Sequence, residues 1–146
     1  LISDEWSRWL HPSAQWTHCL TVLVNQRRSS EASLIATAKH FDIVLNRMVY
    51  RKCHRKQDVR LASIYAYGFG DSGDNPHFHG CIAAPNLQPT EFESMIWSAA
   101  QKLRSAKHPI NVTPYRDGGW ISYIGNRERH TVILELLHLP QLKFAS

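Results

Sequence analysis

The sequence predicts an α+β domain with a central antiparallel β-sheet flanked by helices. Two observations support this fold class. Residues 16–25 alternate in the manner of a half-buried strand, whereas residues 34–48 carry apolar side chains at helical spacing. The predicted order is strand, helix, strand, strand, helix, strand, helix, without the regular alternation that builds a parallel sheet. We therefore expect one sheet, covered mainly on one face, in a single domain that spans residues 1–146.

The first two predicted elements are a strand and a long helix. The strand pattern places one set of side chains on a common face, namely Trp16, Leu20, Val22 and Val24. Ser29 or Ser30 can then cap a helix. The apolar residues of this helix follow a four-three spacing, which indicates one buried stripe made of Leu34, Ala38, Phe41, Leu45 and Met48.

The second half of the chain continues this mixture of strands and helices. Glycines and aspartates at 68–74 predict a turn between two strands. Thr90 and Glu93 have the spacing of a capping box, which predicts a helix that continues to about Arg104. Glycines at 118–119 predict a break. The other predicted elements are strands at 59–69, 77–84 and 108–115, a short helix at 120–127 and a last apolar segment at 131–139.

The composition favours a basic protein of the cytoplasm. Lys and Arg total 17 against 12 Asp and Glu, which gives a formal net charge of +5 and a pI of about 9.3. This excess favours a polyanionic partner, although a solvated basic surface explains it equally well. No apolar run is long enough for a membrane span, and the first residues lack the pattern of a signal peptide. We therefore expect no membrane partner.

The cysteines are odd in number and far apart. Cys19, Cys53 and Cys81 have no CxxC spacing, so the sequence suggests neither a disulfide framework nor a structural zinc site. A reducing compartment follows from this pattern.

Residues 76–80 contain the strongest candidate for a metal site. His77 and His79 lie two residues apart on a predicted strand, so both imidazoles project from one face while Phe78 enters the core. Such a pair can bind one divalent cation. Because the chain has nine histidines, a triplet of this form is a modest signal by itself. Two half-exposed strand histidines without a metal are the alternative interpretation.

Tyr123 is the candidate nucleophile. It lies on the predicted short helix, where its hydroxyl can attack a phosphodiester whose oxygens are polarised by a metal. The products would be a covalent phosphotyrosine and a free 3′-hydroxyl. Without the histidine pair, packing beside Trp120 would be the favoured interpretation of this residue.

Three segments together resemble the HUH endonucleases, and within them the rolling-circle replication initiators of plasmids and phages that use one catalytic tyrosine. Cys19–Asn25 is similar to the first motif of the family, Pro76–Gly80 to its metal-binding motif and Trp120–Arg127 to its tyrosine-bearing motif. The resemblance implies the HUH nuclease fold and a divalent metal, Mg²⁺ or Mn²⁺, on the histidine pair. It also implies nicking of single-stranded DNA or a DNA hairpin through a 5′-phosphotyrosine, with a host helicase as a further partner. Relaxases and transposases of the same superfamily remain alternatives.

Two features depart from the family pattern. Asn126 stands where the family commonly has a lysine. It can donate hydrogen bonds to a DNA phosphate but carries no charge, so Arg127 or Arg129 would have to stabilise the charge of the phosphate. The strand before the histidines offers no carboxylate in register, so Asp71, Asp74 or water would complete the coordination of the metal. A DNA-binding module that has lost cleavage is therefore the alternative function, and a small metal-dependent phosphate hydrolase is a third.

A basic segment after the first helix is a further candidate for DNA contact. Its side chains suit phosphate binding, although a solvated loop is the favoured interpretation. The candidates are Arg51, Lys52, Arg55 and Lys56.

Four other histidines have no partner at the spacing of a metal site. These are His18, His108, His130 and His138. We interpret them as structural.

Overall fold

The regular structure consists of an antiparallel sheet and helices on both of its sides. The computed structural model describes residues 5, 8–25, 30–51, 60–104, 106–126 and 129–140. The strands are β1 (His18–Val24), β2 (Ala62–Gly68), β3 (His77–Ala83), β4 (Ala106–Pro114) and β5 (Thr131–Val132), and the helices are α1 (Glu31–Tyr50), α2 (Pro89–Gln101) and α3 (Gly119–Ile124). The strands lie in the order β4-β1-β3-β2-β5. The predicted α+β fold class is confirmed.

Helix α1 begins at the serine cap. The Ser30 hydroxyl accepts a hydrogen bond from the Ser33 backbone N–H at 3.1 Å, and the Ser33 hydroxyl accepts one from the Ser30 N–H at 2.8 Å. Each hydroxyl thus satisfies a backbone donor that the first helical turn leaves unpaired. The predicted stripe is confirmed, since Leu34, Ala38, Phe41 and Leu45 are fully buried and Met48 packs at the edge of the same core.

Helix α2 begins one residue before the predicted capping box. Gln88 is the N-cap and Pro89 the first helical residue, where a proline costs no hydrogen bond. No side chain caps this helix, so the prediction of a capping box at Thr90 and Glu93 is wrong. Glu93 instead lies with its carboxylate 3.8 Å from Nε2 of His18. The predicted buried face is confirmed for Phe92, Ile96, Ala99 and Leu103.

The two faces of the sheet are covered by different elements. On one, which we call the helix face, side chains such as Leu20 and Phe78 pack against α1 and α2. On the other, which we call the site face, Cys19 and Cys81 join a smaller apolar cluster. Residues that cover this second cluster are Leu10, Trp16, Ile121, Ile124 and Leu139. The long helices do lie on one face, as expected, but the other face is also partly covered, and Trp16 belongs there and not with Leu20.

The remaining elements differ from their predictions mainly in length. The turn at 68–74 is confirmed, with Gly70 and Gly73 at positive φ, where a glycine is favoured. The strand at 108–115 and the helix at 120–127 correspond to β4 and α3. The last apolar segment contains the two-residue β5 and a 3₁₀ turn at Leu134–Leu136. Within the described residues, no helix is both long and apolar enough to cross a membrane.

Candidate metal centre

Three histidines bring their Nε2 atoms together on the site face. Nε2 of His130 lies 3.2 Å from that of His77 and 3.1 Å from that of His79. The three residues are 5–7% exposed. In the part of the chain that the structure describes, they form the group whose ligand atoms could hold a metal ion.

Strand β3 places the first two histidines. His77 and His79 are two residues apart and therefore share a face of the sheet, as predicted. The antiparallel register with β1 sets Thr21 opposite His79. The Thr21 hydroxyl is 2.8 Å from Nδ1 of His79, which fixes the orientation of this ring.

A turn after α3 delivers the third histidine. The backbone N–H groups of Arg129 and His130 both donate to the carbonyl oxygen of Asn126, at 3.0 and 2.8 Å, and so bring the chain back to β2. Gly68 permits the close approach, because a Cβ at this position would lie 2.7 Å from the Arg129 carbonyl oxygen and 2.9 Å from the His130 ring. Any larger residue would push His130 away from His77.

Hydrogen bonds to backbone carbonyls determine which ring nitrogens carry a proton. Nδ1 of His77 lies 2.8 Å from the Asn75 carbonyl oxygen, and Nδ1 of His130 lies 3.2 Å from that of Tyr123. Since a carbonyl oxygen only accepts, both Nδ1 atoms must donate. In the neutral imidazoles, both Nε2 atoms then carry a lone pair, and the short contact between them is not a hydrogen bond. Such a pairing of Nδ1 with a carbonyl is typical of metal-binding histidines.

The protein environment favours the neutral forms of His79 and His130. Burial, with the neighbouring His77 and His130, lowers the pKa of His79 to about 3. Burial also lowers the pKa of His130, although the hydrogen bond to the Tyr123 carbonyl opposes the shift. Neutral imidazole is the form that binds a metal.

The two separations between His130 and the other histidines fit one metal ion. Imidazole nitrogens lie about 2.0–2.1 Å from an ion such as Zn²⁺, so two ligands at angles of about 90–110° are separated by roughly 2.9–3.4 Å. The observed separations of 3.1 and 3.2 Å fall in this range. Three imidazoles leave further coordination positions for water or a substrate.

Tyr123 lies beside this cluster. Its ring centroid is 4.9 Å from that of His130 and 5.4 Å from that of His79, and the residue is 43% exposed. Trp120, on the same helix, packs its ring 5.2 Å from His79 and 5.7 Å from Tyr123. The Trp120 indole N–H donates to the Gly80 carbonyl oxygen at 3.3 Å. Helix α3 thus places a partly exposed phenol against two of the three imidazoles.

An open cavity of about 450 Å³ lies over the histidines. Arg129 and Asp71 lie at its rim, with 3.7 Å between a guanidinium nitrogen and a carboxylate oxygen. Asp74 lies in the same exposed turn and accepts a hydrogen bond from Ser72. Asp71 and Asp74 are not members of the histidine cluster.

Of the other residues predicted to contact phosphate or DNA, two are described by the structure and four are not. Asn126 is partly buried, and its backbone carbonyl holds the turn before His130. Arg51 is exposed and ends α1 with a φ of 49°. Lys52, Arg55, Lys56 and Arg127 lie outside the described residues.

Sequence reasoning missed His130. The sequence indicates a structural histidine because His130 has no partner at the spacing of a metal site, whereas the fold brings it to His77 and His79. The only available signal was its position seven residues after the candidate tyrosine, and no general rule for metal-ligand spacing covers that interval.

No protein-family model, curated protein or solved structure matches this chain. The chemistry of the site therefore rests on its own side chains. Neutral imidazoles bind a metal, a phenol can act as a nucleophile and a guanidinium binds anions. Together they can act on a phosphate ester.

Proposed function

We propose that this protein is a metal-dependent endonuclease that nicks single-stranded DNA through a covalent tyrosine intermediate. The observation that carries the proposal is the contact of the exposed Tyr123 ring with the rings of His79 and His130. A nucleophile and a metal site must share one cavity if the attacked phosphate is to reach both. The resemblance of three segments to rolling-circle initiators supports replication initiation as the role.

The chain's own residues supply the nucleophile. The Tyr123 oxygen attacks the phosphorus of a phosphodiester, the bond from phosphorus to the 3′-oxygen breaks, and the released 3′-oxygen takes up a proton equivalent to the one lost by the phenol. The 5′-phosphate remains esterified to Tyr123. Attack of a 3′-hydroxyl on this ester rejoins the strand, so the energy of the broken bond is conserved.

His77, His79 and His130 would hold the metal. A divalent ion bound there supplies charge withdrawal from the phosphate oxygens. Three nitrogen donors favour a transition-metal ion over Mg²⁺, which prefers oxygen ligands. Of the two metals expected from the sequence, we therefore propose Mn²⁺.

Arg129 is the described candidate for binding the phosphate. Its guanidinium lies at the rim of the cavity, paired with the exposed carboxylate of Asp71. An arriving phosphate can replace that carboxylate, since exposed ion pairs contribute little stability. The net charge of +5 favours the approach of a polyanion such as DNA.

The proposal is tested by trapping the adduct. The protein is incubated with Mn²⁺ and a pool of single-stranded oligonucleotides that is randomised over about 20 positions, so that no recognition sequence has to be known. We expect a protein–DNA adduct whose site, mapped by mass spectrometry, is Tyr123. Tyr123→Phe should abolish the adduct, and Tyr115→Phe is the matched control that should retain it. An unchanged adduct in Tyr123→Phe, or none in the wild-type protein, would contradict the proposal.

A phosphate hydrolase is the second candidate. Three histidines with open coordination positions are also typical of hydrolytic metal sites, where a bound water is the nucleophile. This function predicts cleavage without an adduct and equal activity of Tyr123→Phe. The same pair of variants therefore separates the two functions.

A further inference from the structure

Two cysteines that are distant in the sequence face each other across the central strands. The register of β1 and β3 pairs Cys19 with Cys81. The Val24 N–H donates to the Pro76 carbonyl oxygen directly opposite, and hydrogen-bonded and non-hydrogen-bonded pairs alternate along such a ladder. Counting from that pair, the cysteines occupy a non-hydrogen-bonded pair. Cα atoms in these pairs are about 4.5 Å apart, which lies within the range for disulfides.

Both thiols point to the same side of the sheet. Cys19 and Cys81 belong to the apolar cluster of the site face, and both are free. Directly opposed residues on one face of an antiparallel pair have Cβ atoms about 4.5–5.5 Å apart, so the two side chains lie next to each other. Thiols in contact at a permitted Cα separation can form a disulfide without a large backbone movement.

Cys19 lines a surface pocket, although it is only 3% exposed. This pocket has a volume of about 310 Å³, and Cys19 lies in it together with Trp120 and Arg116. Cys81 has no exposed surface. A small oxidant can therefore reach Cys19 first. Cys81 is the second thiol, which reacts with the oxidised Cys19.

We propose that Cys19 and Cys81 are a redox-active pair that forms a reversible intramolecular disulfide when the protein meets a hydroperoxide. The Cys19 sulfur attacks one peroxide oxygen and the O–O bond breaks, so that a sulfenic acid forms and the other oxygen leaves as water, or as an alcohol when the hydroperoxide is organic. The Cys81 sulfur then displaces the sulfenic oxygen, which leaves as water. The two thiols are oxidised, the peroxide is reduced, and an added dithiol reverses the change.

The disulfide would join the strands that carry the histidine site. The Cys19–Cys81 pair lies two positions along the β1–β3 ladder from the Thr21–His79 pair, on the same face of the sheet. Because it closes a loop of about 60 residues in the unfolded chain, we expect it to raise Tm by roughly 10 °C. This inference is independent of any nuclease activity, so its test measures no DNA cleavage.

The experiment treats the folded protein with a small excess of hydrogen peroxide and maps its cysteines. Trypsin places the three cysteines in separate peptides, at residues 9–27, 53–55 and 61–102. We expect the intact protein to lose about 2 Da and the first and third peptides to become linked. Dithiothreitol should restore the original mass and the separate peptides, and the rise in Tm should disappear when the link is reduced.

A Cys53→Ser variant is the control, because it removes the third thiol and should form the same link. Cys19→Ala should remain without a link and without the rise in Tm. The mapping of the wild-type protein decides the question even if that variant is unstable. The inference is overturned if Cys19 and Cys81 stay free thiols, if either gains oxygen without linking, or if the link involves Cys53.

Discussion

Each face of the sheet buries a cluster of polar side chains, and the two clusters differ in how their atoms are paired. On the helix face, the Asp42 carboxylate accepts hydrogen bonds from Arg60 at 2.6 Å, from the Tyr65 hydroxyl at 3.0 Å and from the Asn46 amide at 3.1 Å. Every acceptor there meets a donor. On the site face, three imidazole nitrogens meet one another, and at least two of them are acceptors with no proton between them.

This difference separates a structural cluster from a ligand site. Complementary donors and acceptors satisfy each other and hold the fold together. Like acceptors in close contact remain unsatisfied until a cation binds. The helix face should therefore matter for stability, and the site face for metal binding.

The largest expected effect comes from removing one residue from each cluster and comparing the free energies of unfolding. The loss should be large for the helix face and small for the site face. Asp42→Ala leaves the buried Tyr65 hydroxyl and a guanidinium without their acceptor, so we expect a loss of about 3 kcal/mol in the free energy of unfolding. His79→Ala removes one of the three facing ring nitrogens, so its loss without metal should stay below about 1 kcal/mol. Urea denaturation of metal-free protein measures both. Equal losses would contradict the distinction.

Metal should bring these two variants to nearly the same stability. Mn²⁺ at about 100 times its Kd should stabilise the wild-type protein by roughly 2.7 kcal/mol, since it binds only the folded state. Asp42→Ala should gain a similar amount, whereas His79→Ala should gain almost nothing. Tm measured with and without Mn²⁺ checks this, and an unchanged gain in His79→Ala would show that the ion binds elsewhere.

The Thr21 hydroxyl offers a smaller change at the site. Thr21→Val keeps the shape of the side chain but removes the partner of His79 Nδ1. We expect the affinity for Mn²⁺ to fall about tenfold with little change in stability, as is usual when a partner behind a metal ligand is lost. Calorimetric titration measures the affinity. Thr113→Val, on the exposed side of β4, should bind as the wild type does, and an equal effect of both would contradict a positioning role for Thr21.

The smallest expected effect concerns His18 on the helix face. Burial lowers its pKa, although the carboxylate of Glu93 opposes the shift, and its ring also contacts Phe92 and the Thr17 hydroxyl. Below about pH 6.5 the unfolded chain binds a proton that the folded protein does not, so stability is full above this pH and falls below it. His18→Gln should flatten the decrease in unfolding free energy between pH 7.5 and 5.5 by up to about 1 kcal/mol. A slope in His18→Gln identical to that of the wild type would exclude this role.

The sequence predicts most of the helix face because the apolar residues of that face recur at regular spacing within single helices and strands. The stripe from Leu34 to Leu45 and the strand that carries Phe78 follow from spacing within one element. The pairing of His77 with His79 follows from the same rule, since it needs only a strand.

The third histidine and the cysteine pair could not be predicted, because both depend on contacts between distant segments of the chain. The third histidine comes from a turn after α3, whereas the sequence suggests Asp71 and Asp74, which are closer to the histidine pair in the sequence but lie in an exposed turn. The Cys19–Cys81 contact needs the register of two strands, which no local pattern reports. In both cases the decisive information is tertiary.

One crystallographic measurement tests the metal site most directly. Crystals grown with Mn²⁺ should show one strong anomalous peak at about 2 Å from each Nε2 of His77, His79 and His130. His130→Ala should lose the peak or bind much more weakly. A peak bound by His77 and His79 with Asp71 or Asp74, or none near the three histidines, would contradict the three-histidine centre.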